Sequence, residues 1–401
     1  VLFLLVFLSS FYLAFGDYGI GKPISGFLSK LVIENLGFIT KNFFEKHGVN
    51  TFLTAFTVDG IIGGVGGIFV FLPQILVLVG VLTFLELTGY MSRVAYLSDN
   101  LLRKTGLNGR AVFSALMGLG CTAVAVSTTN GLENNNVRKK VVLTSGMISC
   151  SAKVPSLMLI ASAISSITEF SFMVILYAFG AVLTFLQVAL SNKIVKSDKR
   201  VPLVMELAPI RLVKIGDFLR EIKKALKGFI VKICTVIFII SCFLFLLKSL
   251  SIEGKFLQNG YENSILYYIG NLFKFIFYPI GINDWRISSA MISGLFAKEG
   301  IATTLISLFP SKLPYKTASI IALSVFFYVY TPCVTAIFSV AESLGKGFSI
   351  KFAFLQFFEA LFYSYLIYYL ISYPIPTVIA VLSILGVSTA VIKYKKHRKT
   401  I

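Results

Sequence analysis

Residues 111–131 read AVFSALMGLGCTAVAVSTTNG, and residues 286–309 read RISSAMISGLFAKEGIATTLISLF. Both stretches are apolar, but Gly118–Cys121 interrupts the first, and the adjacent charges of Lys298 and Glu299 interrupt the second. At membrane depth, irregular backbone and charge are tolerated only where protein buries them or where they line a cavity. The two stretches therefore predict hairpins that enter a membrane and return.

The composition of the whole chain fits a membrane setting. The chain has 401 residues, of which 56% are hydrophobic and 14% charged, and its mean hydropathy is +0.85. A soluble domain carries about 25% charged residues, so a single soluble domain is excluded, and the apolar content excludes a disordered chain. Five Cys, an odd number with at least three in apolar stretches, argue against a disulfide framework. The expected fold class is an all-α polytopic membrane protein.

Eight other apolar stretches are long enough to span a bilayer. They lie at about 1–16, 66–90, 138–165, 169–192, 228–250, 317–341, 352–372 and 374–392. The first stretch begins at Val1 and has no charged segment ahead of it, which is unlike a signal peptide. We therefore expect a span there, and a further N-terminal part of the protein before it.

Basic loops orient the predicted spans. The net charge is +19, and basic residues cluster at 93–110, 138–140, 193–227 and 393–399. The positive-inside rule places these clusters in the cytoplasm, so the charge does not indicate a nucleic-acid partner. All four clusters stay inside only if both interrupted stretches are re-entrant. The prediction is eight spans and two re-entrant hairpins, with both chain ends cytoplasmic.

The two hairpins would enter from opposite sides, and each would follow one span and precede two. This arrangement is typical of an inverted-repeat transporter, whose substrate site lies near the midplane. The predicted divisions are 1–65 (first span and external segment), 66–192 (first repeat), 193–227 (basic cytoplasmic linker with an amphipathic helix over 211–227), 228–372 (second repeat) and 373–401 (last span and basic tail).

Ionisable residues inside apolar stretches are functional candidates, because they are expensive there. They are Glu86, Lys153, Lys298, Glu299 and Glu359. Lys153 could snorkel or pair with a carboxylate, and Glu359 could simply bond two helices. Adjacent helical residues point about 100° apart. We expect Glu299 to face a cation path and Lys298 to turn towards a carboxylate or the carbonyls at a helix C-terminus.

Three cysteines, Cys121, Cys150 and Cys333, lie beside Gly or Pro, where helices loosen. Thiolates suit soft and borderline metals, including ferrous iron, whereas a small packing residue is the alternative for each. Cys234 and Cys242 lie in a regular aliphatic stretch, and packing is expected for both. No histidine lies in a predicted span, and no P-loop signature occurs, so we expect no histidine metal site and no nucleotide bound through that motif.

These residues belong to a series of motifs. In chain order the motifs are Val58–Gly67, Phe71–Gln74, Leu85–Glu86, Gly89–Met91 with Arg93, Gly118–Cys121, Leu132–Glu133, Ser149–Pro155, Ala297–Glu299 and Tyr330–Cys333. With them the chain resembles the membrane domain of ferrous iron transport protein B over nearly its whole length. It departs from the usual family pattern in the first hairpin, where Val124 replaces a proline and Asn130 an arginine.

The resemblance implies two Gate-type repeats, similar to those of nucleoside transporters, and a GTP-binding domain ahead of the membrane part. It implies an iron path through the three cysteines. The expected metal path is Cys121, Cys150, Cys333, Glu86 and Glu299, and the residues expected in gating or structural pairing are Lys298, Lys153, Glu133, Gly120 and Pro332. We expect no catalytic residue in this chain.

The expected function is transport of Fe²⁺, as substrate, across the cytoplasmic (inner) membrane into the cell. Expected partners are the lipid bilayer, a GTPase domain in the same polypeptide and a small cytoplasmic accessory protein, with a homo-oligomer left open. One alternative is transport of a nucleoside-like organic solute or another divalent metal. A membrane scaffold without transport is another. An organic solute needs several hydrogen-bonding side chains converging in a roomy pocket, whereas a ferrous site needs a few close ligands.

Overall fold

The computed structural model describes residues 21–62, 109–132, 134–164, 169–194, 213–251, 263–309, 313–330 and 333–374, with single positions or short groups within 9–19, 63–97 and 256–257. Regular structure within these residues is helical, and the strand-like pairing there consists of two isolated bridges at Leu250 and Ser251. The all-α class predicted from composition is confirmed for this part of the chain.

The N-terminal region is a run of short helices. They are α1 (Gly21–Leu28), a π-helical segment (Ser29–Asn35), α2 (Leu36–Lys46), α3 (Thr51–Ala55) and a second π-helical segment (Phe56–Ile62). The second π-helical segment packs against a much longer helix, α9 (Ile215–Ser249). The Phe56 and Phe245 rings meet there edge to face, with centroids 5.7 Å apart.

Helix α9 differs from expectation, since the interfacial helix predicted over 211–227 and the span predicted over 228–250 are one continuous helix of 35 residues. No proline lies in this stretch, so the i to i−4 hydrogen-bond ladder continues across the change from polar to apolar sequence.

Two further groups of helices carry the hairpins. The first group is α4 (Gly109–Gly120), α5 (Thr122–Thr128), a 3₁₀ turn (Thr129–Gly131), α6 (Asn135–Ser145), a 3₁₀ turn (Ser151–Lys153), α7 (Val154–Ala161) and α8 (Glu169–Ile194). The second group begins with α10 (Ile265–Phe273) and a 3₁₀ segment (Lys274–Ile280), and continues with α11 (Trp285–Phe296), α12 (Glu299–Leu308), α13 (Thr317–Val329), α14 (Val334–Leu344) and α15 (Lys346–Ser372).

The same order of elements occurs twice. Helices of 12, 7, 11, 8 and 26 residues in α4 to α8 correspond to helices of 12, 10, 13, 11 and 27 residues in α11 to α15. In each group a helix pair is followed by a helix in two pieces and then by a long helix. The spans predicted at 138–165 and 317–341 are thus each broken, the first beyond Ser145 and the second beyond Val329. A glycine at 146 and prolines at 155 and 332 disfavour continuous helix at these places.

Both helix pairs fold back on themselves. The Thr304 hydroxyl of α12 donates a hydrogen bond to the Ser293 hydroxyl of α11, at 2.9 Å. A Cβ at Gly294 would collide with the Ile301 side chain, so glycine permits this close approach. Helices α4 and α5 likewise pack against each other. These contacts support a turn between the two helices of each pair.

The two groups interlock. Helix α5 of the first hairpin packs against α14, and α12 of the second hairpin packs against α7. Each hairpin therefore lies against the second piece of the other group's broken helix. Helix α13 lies at the centre, and nearly all of its side chains from Ser319 to Val329 are buried. A helix that is apolar on all sides is expected in such a position.

Ser171–Ser191 and Lys346–Ser372 are long and apolar enough to cross a membrane, and so is Thr317–Leu344, which is α13 and α14 taken together across residues 331–332 that the structure does not describe. A fourth, Ile265–Ile280 with Trp285–Phe296, would pass as a pair bent by 107°. Together they confirm a membrane protein of several apolar helices. The stretches predicted as spans at 1–16 and 374–392 lie almost wholly outside the described residues, and only scattered positions of 66–90 are described.

Candidate functional site

Four helix beginnings meet between the two groups. Cys121 is the N-cap residue of α5, and Lys298 is the N-cap residue of α12. Cys150 immediately precedes the 3₁₀ turn that leads into α7, and Cys333 immediately precedes α14. Each of the three cysteines has extended backbone. All three predicted cysteines therefore lie where a helix is interrupted, which the adjacent Gly and Pro residues indicated.

One short segment contacts the turns of both hairpins. The Ser151 hydroxyl donates a hydrogen bond to the Gly120 carbonyl at 2.9 Å, and the Ser156 hydroxyl approaches the Lys298 carbonyl at 3.4 Å. Gly120 ends α4 and Lys298 precedes α12. The turn of each hairpin is thereby joined to the broken helix of the first group.

The cysteines lie close enough to interact electrostatically. Cys121 interacts with Cys333 and Cys150, and Cys333 interacts with Cys150. Cys150 is buried, whereas Cys121 and Cys333 are partly exposed. Among the residues that the structure describes, however, no group of three or more His, Cys, Asp or Glu is arranged to hold a metal ion. The cysteines are neighbours along one region, not a preformed three-ligand metal site.

Cys242 lies within the uninterrupted helix α9, as expected for a packing residue. The side chain of Cys234 lies outside the described residues.

Lys153 caps the C-terminus of the central helix. Its side chain is buried, and its ammonium donates hydrogen bonds to the Tyr328 carbonyl at 2.7 Å and to the Tyr330 carbonyl at 3.2 Å. The last carbonyls of a helix have no partner within the helix and carry its negative dipole end. From the sequence, the side chain of Lys153 was expected to snorkel or to pair with a carboxylate. The structure gives it backbone carbonyls instead.

Lys298 is buried against an aromatic ring. Its ammonium lies 4.0 Å from the centroid of Tyr330, whose hydroxyl donates a hydrogen bond to the Met291 carbonyl at 3.0 Å. Lys298 also interacts electrostatically with Cys150 and Cys333. The expected partners of Lys298 were a carboxylate or the carbonyls at a helix C-terminus, whereas the structure places its ammonium over the Tyr330 ring. Glu299 begins α12 and is partly exposed, whereas Lys298 is only 2% exposed.

The centre combines opposing charges. Helices α4, α11 and α13 end at Gly120, Phe296 and Val329, so the negative ends of three helix dipoles lie by the interrupted segments. Carbonyl ends and thiols favour a cation. The buried ammonium groups of Lys153 and Lys298 offset part of this potential, so an entering cation meets both attraction and repulsion within one region.

A polar link joins the ends of α6 and α14, away from the cysteines. One Arg138 nitrogen, Nη2, donates to Asn130 Oδ1 at 2.6 Å and to Ser343 Oγ at 2.8 Å. The Ser343 hydroxyl in turn donates to Asn130 Oδ1 at 2.7 Å. Sequence reasoning counted Arg138 only as a loop charge, because its partner at 343 is remote in the chain.

A second polar cluster fastens the open end of the second hairpin. Asp284 is the N-cap residue of α11, and it forms an ion pair with Arg286 at 2.7 Å. The Tyr315 hydroxyl donates to Asp284 Oδ2, also at 2.7 Å. Burial opposes ionisation of Asp284, but these donors outweigh it and hold the pKa of the carboxyl below its usual value. An Asp immediately before an apolar helix is a capping signal that sequence reasoning overlooked.

Glu359 lies in α15 and accepts a hydrogen bond from Gln187 Nε2 of α8 at 2.9 Å. This is the helix–helix hydrogen bond that sequence reasoning offered for Glu359. The predicted site residues Glu86, Glu133 and Pro332 lie outside the described residues.

Comparison with known proteins follows the same division of the chain. The family model Gate, described as nucleoside recognition, matches residues 68–165 and 230–347. These two ranges contain the two hairpins and the two broken helices.

Similar proteins include two whose names refer to Fe(2+) transport. The Fe(2+) transporter FeoB of Staphylococcus aureus (strain COL) is 28% identical over 333 residues, which cover 80% of this chain and 50% of the relative. A Porphyromonas gingivalis (strain ATCC BAA-308 / W83) protein, named Fe(2+) transport protein A/Fe(2+) transporter FeoB fusion protein, is 29% identical over 294 residues, covering 64% of this chain and 35% of the relative. The chain thus spans half or less of the length of these relatives.

One solved structure is titled "Structure of CNTnw in an inward-facing substrate-bound state". Its alignment covers 90% of this chain and 88% of the matched chain, with 16% sequence identity and a TM-score of 0.48. The Gate model matches more than half of the length of this chain, so the chain belongs to the Gate family.

Proposed function

We propose that this chain is the membrane permease part of a ferrous iron transporter, and that Fe²⁺ passes into the cytoplasm where the four helix beginnings meet. The single observation that carries the proposal is the convergence of Cys121, Cys150 and Cys333 at helix interruptions. The names of the relatives, which cover most of this chain, support iron as the substrate.

The chemistry of the region suits a transient ferrous ligand set. An ion that enters a region of low dielectric loses hydration and needs compensating donors. A thiol loses its proton to water when it binds a metal and stays uncharged when the metal is absent, so thiols cost less in an empty membrane site than carboxylates. The carbonyl ends of α4 and α11 supply further oxygen donors. We propose that the side chain of Glu299, and that of Glu86 outside the described residues, complete the path.

Weak, sequential binding suits transport better than one closed site. No group of three or more potential metal ligands is assembled in the part of the chain that the structure describes. A transported ion must leave as well as enter, which favours several weak stations. In this proposal the ammonium of Lys298, which lies near Cys333 and Cys150, limits how tightly a cation is held.

We further propose an inverted repeat with eight spans, two re-entrant hairpins and both ends cytoplasmic. The repeated helix order and the exchange of hairpins between groups support it. The link from Arg138 to Ser343 also supports it, because both residues are cytoplasmic in this topology. An impermeant thiol reagent should label a cysteine introduced at 312 from outside and one at 139 only from inside. The reverse pattern would exclude this topology.

We also propose partners for this chain. We expect a GTP-binding domain ahead of this chain in the same polypeptide, and the full protein in the inner membrane. The relative named as a fusion with Fe(2+) transport protein A supports a small accessory protein on the cytoplasmic side. This chain itself would hold no catalytic site, and a second copy of the chain is a further candidate partner.

An organic solute is the second candidate, because the matching family is described as nucleoside recognition. The buried hydroxyls of Ser149 and Ser288, which have no hydrogen-bond partner among the described residues, are the observation in its favour. Against it, the groups that converge at the helix beginnings are mainly thiols and ammonium groups, whereas a nucleoside needs several neutral donors and acceptors.

Uptake measurements separate the two candidates. The full-length protein, reconstituted in liposomes under reducing conditions, would be offered radiolabelled Fe²⁺ or radiolabelled uridine. We expect uptake of iron, above that of protein-free liposomes, and no uptake of uridine. Uridine uptake without iron uptake would overturn the proposal in favour of the organic solute.

A further inference from the structure

A further polar cluster, centred on Glu359, lies between helices and apart from the cysteines. Glu359 of α15 accepts hydrogen bonds on both carboxyl oxygens, from Gln187 Nε2 of α8 at 2.9 Å and from Gln356 Nε2 at 3.0 Å. Gln356 Nε2 also approaches the Leu143 carbonyl of α6 at 3.4 Å. Three helices thus meet at one carboxyl group, which lies near the middle of the 27-residue helix α15.

The two glutamines keep unused acceptors next to this carboxyl group. Gln187 is 1% exposed and Gln356 is 0% exposed. The side-chain oxygen of each is buried and has no hydrogen-bond partner among the described residues. A buried polar atom without a partner costs about 1–3 kcal/mol, and such an atom in a folded protein calls for a ligand, an ion or a function.

The charge of Glu359 has no cationic partner in the described part of the chain. Helix α15, which carries Glu359, packs against α13, α14 and the 3₁₀ segment before α11, and hydrogen bonds near its middle join it to α8 and α6. The described charged side chains of these elements include Arg138, Lys139, Lys140, Lys274 and Glu342, and among the described residues none of them is an electrostatic partner of Glu359. The titratable group that interacts with Glu359 is Tyr363, one turn further along α15. An uncompensated carboxylate inside a membrane is expensive.

We propose that Glu359, Gln187 and Gln356 form a proton-binding site that is separate from the cysteine centre. In the ionised state the two Nε2 groups donate to the carboxylate. On protonation, a proton from water forms an O–H bond on one carboxyl oxygen, and that hydroxyl needs an acceptor. Rotation of one glutamine amide by 180° exchanges its nitrogen and oxygen and turns the unused oxygen towards the hydroxyl. Both states are then hydrogen-bonded, and the proton returns to water on release.

The site is in contact with the interrupted helix that carries Cys150. Gln356 packs so closely on Gly146 that a Cβ there would collide with its amide. Gly146 directly follows α6 and begins the interruption that ends at Cys150. A rotation of the Gln356 amide therefore changes the contacts of the segment leading to that cysteine. Resting on the proposed function, this contact would make ion passage depend on protonation of Glu359.

Infrared difference spectroscopy tests the proton site without any transported ion. The full-length protein in lipid would be titrated between about pH 5 and about pH 8 in metal-free buffer. We expect a carboxyl C=O band that appears with acidification, that is absent in Glu359→Gln and that persists in the matched control Glu45→Gln. Because hydrogen bonding sets the frequency of this band, Gln187→Leu should move it even if Glu359→Gln fails to fold.

Two results would overturn the proton site. One is a wild-type spectrum in which no carboxyl band changes with pH, or a pH-dependent band that is the same in the wild type, in Glu359→Gln and in Gln187→Leu. The other is a band that responds to sodium at constant pH, which would assign the site to a metal cation.

Uptake in liposomes tests the coupling. The rate of Fe²⁺ uptake by the wild type should differ at least about threefold between about pH 6 and about pH 8. The Glu359→Gln variant should take up Fe²⁺ at the same rate at both pH values. Absence of iron uptake at every pH would refute the proposed function, while the infrared band would still decide the proton site. Uptake by Glu359→Gln with unchanged pH dependence would refute the coupling.

Discussion

Cys121 and Lys298 occupy matching positions in the two groups of helices. Each is the N-cap residue of the second helix of a hairpin, and each hairpin packs against the broken helix of the opposite group. Cys150 and Cys333 form the second matching pair. The centre therefore has thiols at three of the four helix beginnings and an ammonium group at the fourth. We interpret the ammonium as the element that keeps cation binding weak.

The adjacent charges at the second hairpin should have separable roles. Glu299→Gln should abolish Fe²⁺ uptake and leave the yield of folded protein unchanged, because the partly exposed carboxylate would line the path. Lys298→Gln should chiefly lower thermal stability, since it removes a buried cation–π contact worth about 2 kcal/mol with Tyr330. Uptake in liposomes and thermal unfolding of the purified protein measure the two effects.

The matched control for Glu299→Gln is Glu45→Gln, which replaces an exposed carboxylate of α2 and should transport normally. The assignment of roles would be reversed if Lys298→Gln folded in higher yield without transporting while Glu299→Gln transported normally. An anionic or organic substrate would then be the better interpretation.

Removal of the cap on the central helix should destabilise the protein. Lys153→Met retains most of the side-chain volume but leaves the Tyr328 and Tyr330 carbonyls without the donors they now have. We expect a loss of about 2 kcal/mol in the free energy of unfolding, the scale of a buried hydrogen bond to a charged group. Denaturant unfolding measures it. The exposed Lys351→Met on α15 should change stability by less than about 0.5 kcal/mol, and equal stability of both variants would refute the capping role.

The clamp at the open end of the second hairpin should weaken in acid. The pKa of Asp284 is held below its usual value of about 4. Its ionised form therefore stabilises the fold fully above about pH 4, and this contribution is lost as the pH falls through the lower folded-state pKa. The thermal unfolding midpoint of the wild type should drop in this range.

Asp284→Asn isolates this contribution. The variant should be less stable than the wild type near neutral pH and should show a smaller drop in acid. An identical acid profile in both proteins would show that other carboxyl groups cause the drop.

The sequence predicted the breaks within the two interrupted stretches, but not the breaks in the spans that follow them or how the pieces pair. Gly and charged residues within apolar stretches indicated the breaks between α4 and α5 and between α11 and α12, because such residues interrupt helices locally. Local signals of this kind also identified Cys121, Cys150 and Cys333. The two broken spans at 146–150 and 330–333 were predicted as continuous, because apolar residues outnumber the breakers in both.

Partners that are remote in the chain could not be predicted. The bonds of Lys153 to α13, of Arg138 to Ser343 and of Gln187 to Glu359 each join residues more than 170 positions apart. Their geometry depends on how the two groups interlock, which a residue pattern does not encode. The carbonyl partners of Lys153 and the Tyr330 ring beside Lys298 were not predicted for the same reason.

The central claim is that ferrous iron passes by the three cysteines. Replacement of Cys121, Cys150 or Cys333 by Ser keeps the size of the side chain but weakens the soft donor. Each change should lower Fe²⁺ uptake at least about tenfold, whereas Cys242→Ser, in the uninterrupted helix α9, should transport normally.

Iron-edge X-ray absorption of the full-length protein, loaded anaerobically with Fe²⁺, tests this claim most directly. We predict sulfur scatterers at about 2.3 Å, the usual length of a metal–thiolate bond. Their number should fall in each of the three variants and stay the same in Cys242→Ser. An iron shell of oxygen and nitrogen alone in the wild type, together with normal uptake by all three variants, would contradict the account.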